Sequence, residues 1–230
     1  LVEGCKYRVA CSVGVDEIEL ITRPLSLHML LKEHANTFSD TVIHDFAEAL
    51  QELGCEVYVC HDHKDKSTDS PLARRRNHLI LLAQNMTGYH NLVKLVTQGY
   101  LEGFYYKPRV DKPLLRKYSE GLICLSACIA GEIPRAILAD DMDKALNLTR
   151  EYADIYPDRF YLELQSNGLP EQTKANTALL ELAETTGVPL VATNDCHYLT
   201  AEDAEAHEVL LCIQTQTTMD DPKRMRFGTN

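Results

Sequence analysis

The sequence predicts an α/β protein, a parallel sheet of short strands joined by helices. Three observations predict it. From Gly54 onward, short apolar runs alternate with longer stretches whose apolar residues recur at helical spacing. Side chains of metal-ligand chemistry fall at or beside those runs, where a parallel barrel gathers its functional residues. With 45 % hydrophobic residues in a chain of 230, there is enough apolar material for one large domain with a packed core. Strands alternating with helices imply a parallel sheet with crossovers.

Taken in order, residues 1–53 are the least patterned. Tyr7 to Ile21 has strand-like apolar content. Asp40 to Leu53 reads as a helix with Asp40 as N-cap and Val42, Phe46, Ala49, Leu50 and Leu53 on one face. Cys55 to Val59 is a strand, and His78 to Ala83 a second. Thr87 to Tyr100 is a helix that buries Leu92, Val93, Leu95 and Val96. Gly121 to Ser126 is a third strand, followed by helices over Glu132 to Leu138 and Met142 to Tyr156. Phe160 to Leu164 is a fourth strand, and the helix after it, Glu171 to Thr186, stops at Gly187. Val188 to Ala192 is the fifth strand, and Asp203 to Leu211 opens a helix with an acidic first turn.

The net charge of -11 argues against a stand-alone nucleic-acid grip and suits an acidic pocket for divalent cations. Eight cysteines without a C-x-x-C pair read as reduced thiols of a cytoplasmic protein. No apolar run reaches membrane-spanning length. The chain opens on Leu1 and stops at Asn230, which leads us to expect a segment of a longer chain.

The candidate ligands follow from placement. Asp195 and His197 leave the fifth strand two residues apart, so an extended backbone puts both side chains on one side. Cys128 follows the third strand by two residues. Glu56 lies inside the first strand and His78 begins the second, so these two must point inward along the barrel. Glu, His, Cys, Asp and His together are a vocabulary for zinc, manganese or iron. Singly each has a plainer reading: Cys128 as a small buried hydrophobe, His78 as a core histidine. Two other groups read as solvated surface. His61-Asp62-His63 imitates a ligand pair, but it sits in the polar stretch Cys60 to Ser70. Arg74-Arg75-Arg76 reads as a basic turn. His28, His34 and His44 have no partner motif beside them.

Gly54-Cys55-Glu56-Val57-Tyr58-Val59 and His78-Leu79-Ile80-Leu81-Leu82-Ala83 resemble the PHP (polymerase and histidinol phosphatase) domain family. More narrowly they resemble its branch in the alpha subunits of bacterial DNA polymerase III. Tyr100 to Arg109, Glu120 to Cys128, Gly168 to Gln172, Thr193 to Tyr198, Asp203 to His207 and Asp220 to Arg224 are similar to that branch in the same order. The resemblance runs from Gly54 to Phe227 and leaves 1–53 as an unmatched segment. It implies a PHP-type (β/α)7 barrel, irregular at its N-terminal end, with Glu56, His78, Cys128, Asp195 and His197 as metal ligands. In the wider family such a cluster hydrolyses phosphate esters. The family's opening H-x-H and its Thr-Asp-His-type motif are absent from residues 1–53. The resemblance therefore implies a metal-bearing scaffold of a replicative DNA polymerase with little hydrolase activity of its own. The alternative is a free-standing metal-dependent phosphoesterase. The implied partners are the remainder of the alpha subunit and the proofreading exonuclease subunit, with DNA engaged only through the full polymerase.

Overall fold

The structure, a computed structural model, describes residues 20–21, 54–67, 74–166, 168–194, 197 and 200–225. In chain order they form β1 (Leu20–Ile21), β2 (Gly54–Val59), β3 (Asn77–Ala83), α1 (Met86–Leu101), β4 (Arg109–Val110) and α2 (Lys112–Lys117). These are followed by β5 (Leu122–Leu125), α3 (Glu132–Leu138), α4 (Met142–Ile155), β6 (Phe160–Gln165), α5 (Pro170–Thr186), β7 (Leu190–Thr193), a 3-10 turn (Ala201–Asp203) and α6 (Ala204–Thr215). The helix expected over Asp40 to Leu53 lies outside the described residues. Of the stretch Tyr7 to Ile21, β1 is described.

Local chemistry sets the helix ends. The Asn85, Asp111 and Asp141 side chains accept from Gly88 N, Leu114 N and Lys144 N, capping α1, α2 and α4. α5 begins with Pro170 and stops at Gly187, which adopts a left-handed φ of 73°. β4 and α2 were not apparent in the sequence. Two residues are too few to show periodicity, and α2 has a single fully buried residue, Leu115.

The strand order is β1-β2-β3-β5-β6-β7, with β4 pairing β2 off this path. The sheet is mixed, which corrects the parallel sheet expected from the strand–helix alternation. β3 runs antiparallel to both of its neighbours, β2 and β5. β5, β6 and β7 are parallel, as expected. The reason lies in the connections. β4 and α2 intervene between β3 and β5, so α1 is not a single crossover of the kind that forces parallel pairing. Among the described residues β7 pairs only with β6 and stays half exposed, so the barrel is open there.

Each strand alternates between two layers. Cys55, Val57, Leu79, Leu81, Leu122, Cys124, Phe160 and Leu162 face the helices and form the main core with Leu92, Leu95, Ile133, Leu148 and Leu179. Ile80, Leu82, Leu125 and Ala127 form a second cluster on the opposite, inner face, with Ile123, Tyr161 and Val191 packed against it. Polar side chains share that inner face, and they build the site.

The start of α1 touches the start of β5 backbone to backbone. A Cβ on Gly88 would stand 1.8 Å from Gly121 O, and Gly121 itself has φ +70° with Asn85 Oδ1 and Gly88 N in the way of a side chain. Gly121→Ala is expected to destabilise the chain by at least about 2 kcal/mol, combining backbone strain with overpacking. Urea unfolding of wild type and variant checks this.

Candidate metal centre

The reversed direction of β3 gathers the site. Tyr58 near the end of β2 pairs with His78 near the start of β3. Ile80 pairs with Leu125, the last residue of β5, so His78 lies just past the end of β5, level with the segment carrying Cys128. A backbone bridge joins His78 to Gly131, and His78 N donates to Ala130 O over 3.1 Å. β6 and β7 run parallel to β5 and end at the same mouth, at Gln165 and Thr193. Glu56 pairs with Ile80 one step deeper. This resolves the apparent anomaly that His78 begins a strand: in an antiparallel strand, the beginning lies beside its neighbours' ends.

Three of the five candidate ligands are brought together. Glu56 Oε1 lies 3.1 Å from His78 Nδ1, and Cys128 Sγ lies 3.7 Å from the same nitrogen. The side chains are partly buried, 27 % exposed for His78 and 18 % for Glu56. Both partners meet one ring nitrogen, which excludes a relay of the Cys–His–Glu type, where base and orienter take opposite nitrogens. Glu56 and Cys128 each stand near His78 Nδ1 at a separation that suits ligands of one ion, although the three ligand atoms do not all lie within 4.8 Å of one another. Two ligands of a tetrahedral ion, with bonds of ~2.1 Å to nitrogen and ~2.3 Å to sulfur, stand roughly 3.6 Å apart. The Tyr58 ring stands edge-on to the imidazole, centroids 5.3 Å apart, and limits its rotation.

Cys128 is held by its turn. Ala127 takes φ 62°, a left-handed value that costs a residue with a Cβ about 1–2 kcal/mol. Gly131 N donates to Cys128 O over 2.8 Å, and a side chain at Gly131 would collide with Ser126 O. Such strain is tolerated where surrounding structure enforces it, commonly at functional sites.

The other two candidates stand differently. Asp195 lies outside the described residues; Thr193, two residues before it, ends β7 at the shared mouth. His197 is described, and its ring lies 5.7 Å from that of buried His207 on α6. Burial, with the His197 charge adding to it, depresses the His207 pKa. His207 was not singled out in the sequence, although it sits in the quoted stretch Asp203 to His207.

The stretch His61-Asp62-His63 is a partial correction. His63 is only 6 % exposed, because β2 runs to Val59 and buried Cys60 carries the chain inward behind it. Asp62, His63 and Asp111 bring ligand atoms within 4.8 Å of one another, compact enough for a metal ion. The trio is closer-knit than Glu56, His78 and Cys128; its two carboxylates already accept from backbone, while His63 Nε2 is buried without a hydrogen-bond partner among the described residues. Asp111 Oδ2 accepts from the His63 ring over 2.6 Å and from His63 N over 3.2 Å, while Oδ1 caps α2. Burial works against the Asp111 charge, but hydrogen bonds from His63 and Leu114 outweigh it and hold the carboxyl below its ordinary value. The wholly buried Arg109 guanidinium donates to the carbonyls of Gly103, His63 and Asp65. Its fixed positive charge in this loop opposes a second cation there.

A polar chain inside the sheet was missed as well: Ser126, Glu163, Gln165 and Thr193 are linked by hydrogen bonds. The signal was a carboxylate in the middle of the apolar run Phe160 to Leu164.

His78 gives a pH test. Burial alone would lower its pKa; hydrogen bonds to Cys128 and Glu56 and the Glu56 charge outweigh burial and lift it to about 10. The folded pKa is raised, so the protonated ring stabilises the metal-free fold fully below its ordinary value of 6.5, and that contribution fades as pH rises toward about 10. The stability gap between wild type and His78→Asn, measured without metal, is therefore expected to shrink from pH 6 to pH 10.

Comparison with known proteins identifies the family. The model of the PHP domain family matches residues 30–167, reaching into the N-terminal segment that the motifs left unmatched. The chain is 45 % identical over 210 residues to the DNA polymerase III subunit alpha of Thermus aquaticus, covering 90 % of this chain and 17 % of the relative. It is 41 % identical over 206 residues to that of Treponema pallidum and 43 % over 208 residues to that of Borreliella burgdorferi, covering 88 % of the chain in each case. In both it covers 18 % of the relative, so the chain spans less than a fifth of the length of these curated relatives. The described cysteines, Cys55, Cys60, Cys124, Cys128 and Cys212, are all free thiols. Among the described residues no helix is long and apolar enough to cross a membrane. The gathered strand ends, the ligand-type side chains at their mouth and the family match lead to one assignment: the chain belongs to the PHP domain family.

Proposed function

We propose that this chain is the metal-bearing PHP module of a replicative DNA polymerase alpha subunit, acting as a scaffold beside the polymerising domains. Glu56, His78 and Cys128, with Asp195 and His197 from the end of β7, hold the metal, which is zinc, manganese or iron. One observation carries this reading: Glu56 Oε1 and Cys128 Sγ converge on His78 Nδ1 at 3.1 and 3.7 Å. The donor set fits a divalent ion of borderline softness, with thiolate and imidazole favouring zinc or iron and carboxylates tolerating manganese. The centre is preferred over Asp62, His63 and Asp111 because the Asp62 and Asp111 carboxylates already accept from loop and helix backbone and the buried Arg109 cation bonds within the same loop.

A bound divalent metal would supply Lewis acidity toward a phosphate ester. The residues around it do the rest. Glu56 keeps His78 in place and favours its charged form until a metal displaces the proton. Cys128 binds as the thiolate, so uptake releases protons and strengthens with rising pH. Tyr58 walls one side of the imidazole. No H-x-H occurs in residues 1–53, which favours a scaffold over a free-standing phosphoesterase. The similarity of Tyr100 to Arg109 and Asp220 to Arg224 to the polymerase branch favours the same reading. The proposed partners are the remainder of an alpha subunit and its proofreading exonuclease.

Metal analysis after dialysis against zinc or manganese is expected to find the ion in wild type and in Asp62→Asn, but not in His78→Ala or Cys128→Ser. Retention in both site variants with loss in Asp62→Asn would move the centre to the other trio. With manganese or zinc and a generic phosphodiester, little turnover is expected; turnover abolished by Asp195→Ala would establish the phosphoesterase reading instead. With its charge of -11, the chain alone is expected not to bind a short DNA duplex. Salt-sensitive micromolar binding in a fluorescence anisotropy titration would contradict that.

A further inference from the structure

The ligand set leaves the polar chain on the inner face unexplained. Glu163, in the middle of β6, is only 2 % exposed. Its neighbours Leu162 and Leu164 pack in the helix-covered core, while Tyr161 packs with the inner cluster. Alternation therefore turns Glu163 inward with Tyr161. A carboxylate removed from water is costly unless its position serves something.

Its contacts run to two strands. Gln165 Nε2 donates to Glu163 Oε1 over 3.1 Å, and Thr193 Oγ1 on β7 donates to the same oxygen. Gln165 Nε2 also reaches Thr193 Oγ1 at 3.4 Å, closing a triangle. On the other side Glu163 N donates to Ser126 Oγ over 2.8 Å, and Ser126 N donates to Tyr161 O over 3.1 Å. Thr193 precedes Asp195 by two residues, and Ser126 precedes Cys128 by two.

We propose that Glu163 is a positioning residue for the metal centre: its carboxylate fixes the end of β7 and its backbone fixes the approach to Cys128. One residue thereby sets two ligand-bearing segments relative to each other. The inference rests on the metal reading above. Both the Gln165 amide and the Thr193 hydroxyl donate to Glu163 Oε1, which holds each in one orientation. Ala127, already in a left-handed conformation between Ser126 and Cys128, is held there by the same anchor.

The plainer role for Glu163 is sheet closure between β6 and β7. That role would change melting of the metal-free chain and leave metal affinity unchanged. Titration of the full chain with cobalt(II) separates the two, because a thiolate ligand gives a near-ultraviolet charge-transfer band. Wild type is expected to show that band and Cys128→Ser to lack it. Glu163→Gln is expected to bind cobalt about 10–100-fold more weakly, the usual effect of removing a group that orients a ligand. Its metal-free melting temperature is expected to stay near that of wild type. Thr193→Val should weaken binding similarly and Thr193→Ser should restore it, a comparison that stands even where Glu163→Gln does not fold. Wild-type affinity in Thr193→Val and in folded Glu163→Gln, with the band still dependent on Cys128, would overturn the inference and leave the metal reading intact. Absence of a Cys128-dependent band in wild type would overturn both.

Discussion

The antiparallel placement of β3 between β2 and β5 is the constraint on which the rest depends. A residue in an extended strand advances about 3.3 Å, so a β3 of the same length running the other way would carry His78 about 13 Å off, toward the opposite mouth. Glu56 would then face an apolar neighbour, and Cys128 would stand without an imidazole. Reversal costs the fold its uniform parallel character. In return it brings a histidine near a strand's start to the place where three other strands end.

The two faces of the sheet divide the work. The helix-covered face is mostly apolar and carries the larger core. The inner face mixes Ile80, Leu82 and Leu125 with Glu56, His78, Glu163 and Thr193. Apolar residues there are few, so the inner face contributes less to stability and more to placing polar groups. Hydrogen bonds between side chains on β6, on β7 and just past the end of β5 make up the difference: they fix geometry where packing alone would leave rotamer freedom.

Much of this was legible in the sequence, for identifiable reasons. Long periodic stretches such as Met142 to Tyr156, and apolar runs such as His78 to Ala83, announce themselves by burial. Strand direction does not, because the alternation of strand and helix looks the same whichever way a strand enters the sheet. β4 and α2 escaped because Arg109–Val110 has no period and α2 buries little. The closeness of Glu56, His78 and Cys128 followed from ligand chemistry and the family resemblance, while the mechanism that brings His78 there did not. His63 was taken for surface because its neighbours in sequence are polar, yet its partner Asp111 lies 48 residues away. Glu163 escaped because a single carboxylate within an apolar run is as readily an exposed edge residue as an anchor.

The Arg109 guanidinium reaches three carbonyls, those of Gly103, His63 and Asp65, and no side chain of the loop after β2 takes part in those bonds. An anchor made of backbone oxygens is indifferent to side-chain identity and sensitive to spacing. Exchanges at His61 or Lys64 leave the anchor intact. One residue inserted or deleted between Cys60 and Asp65 would carry a carbonyl off its donor and strand a buried positive charge. Between related chains, the exposed positions of this loop should therefore drift in composition while its length and the buried His63 are kept.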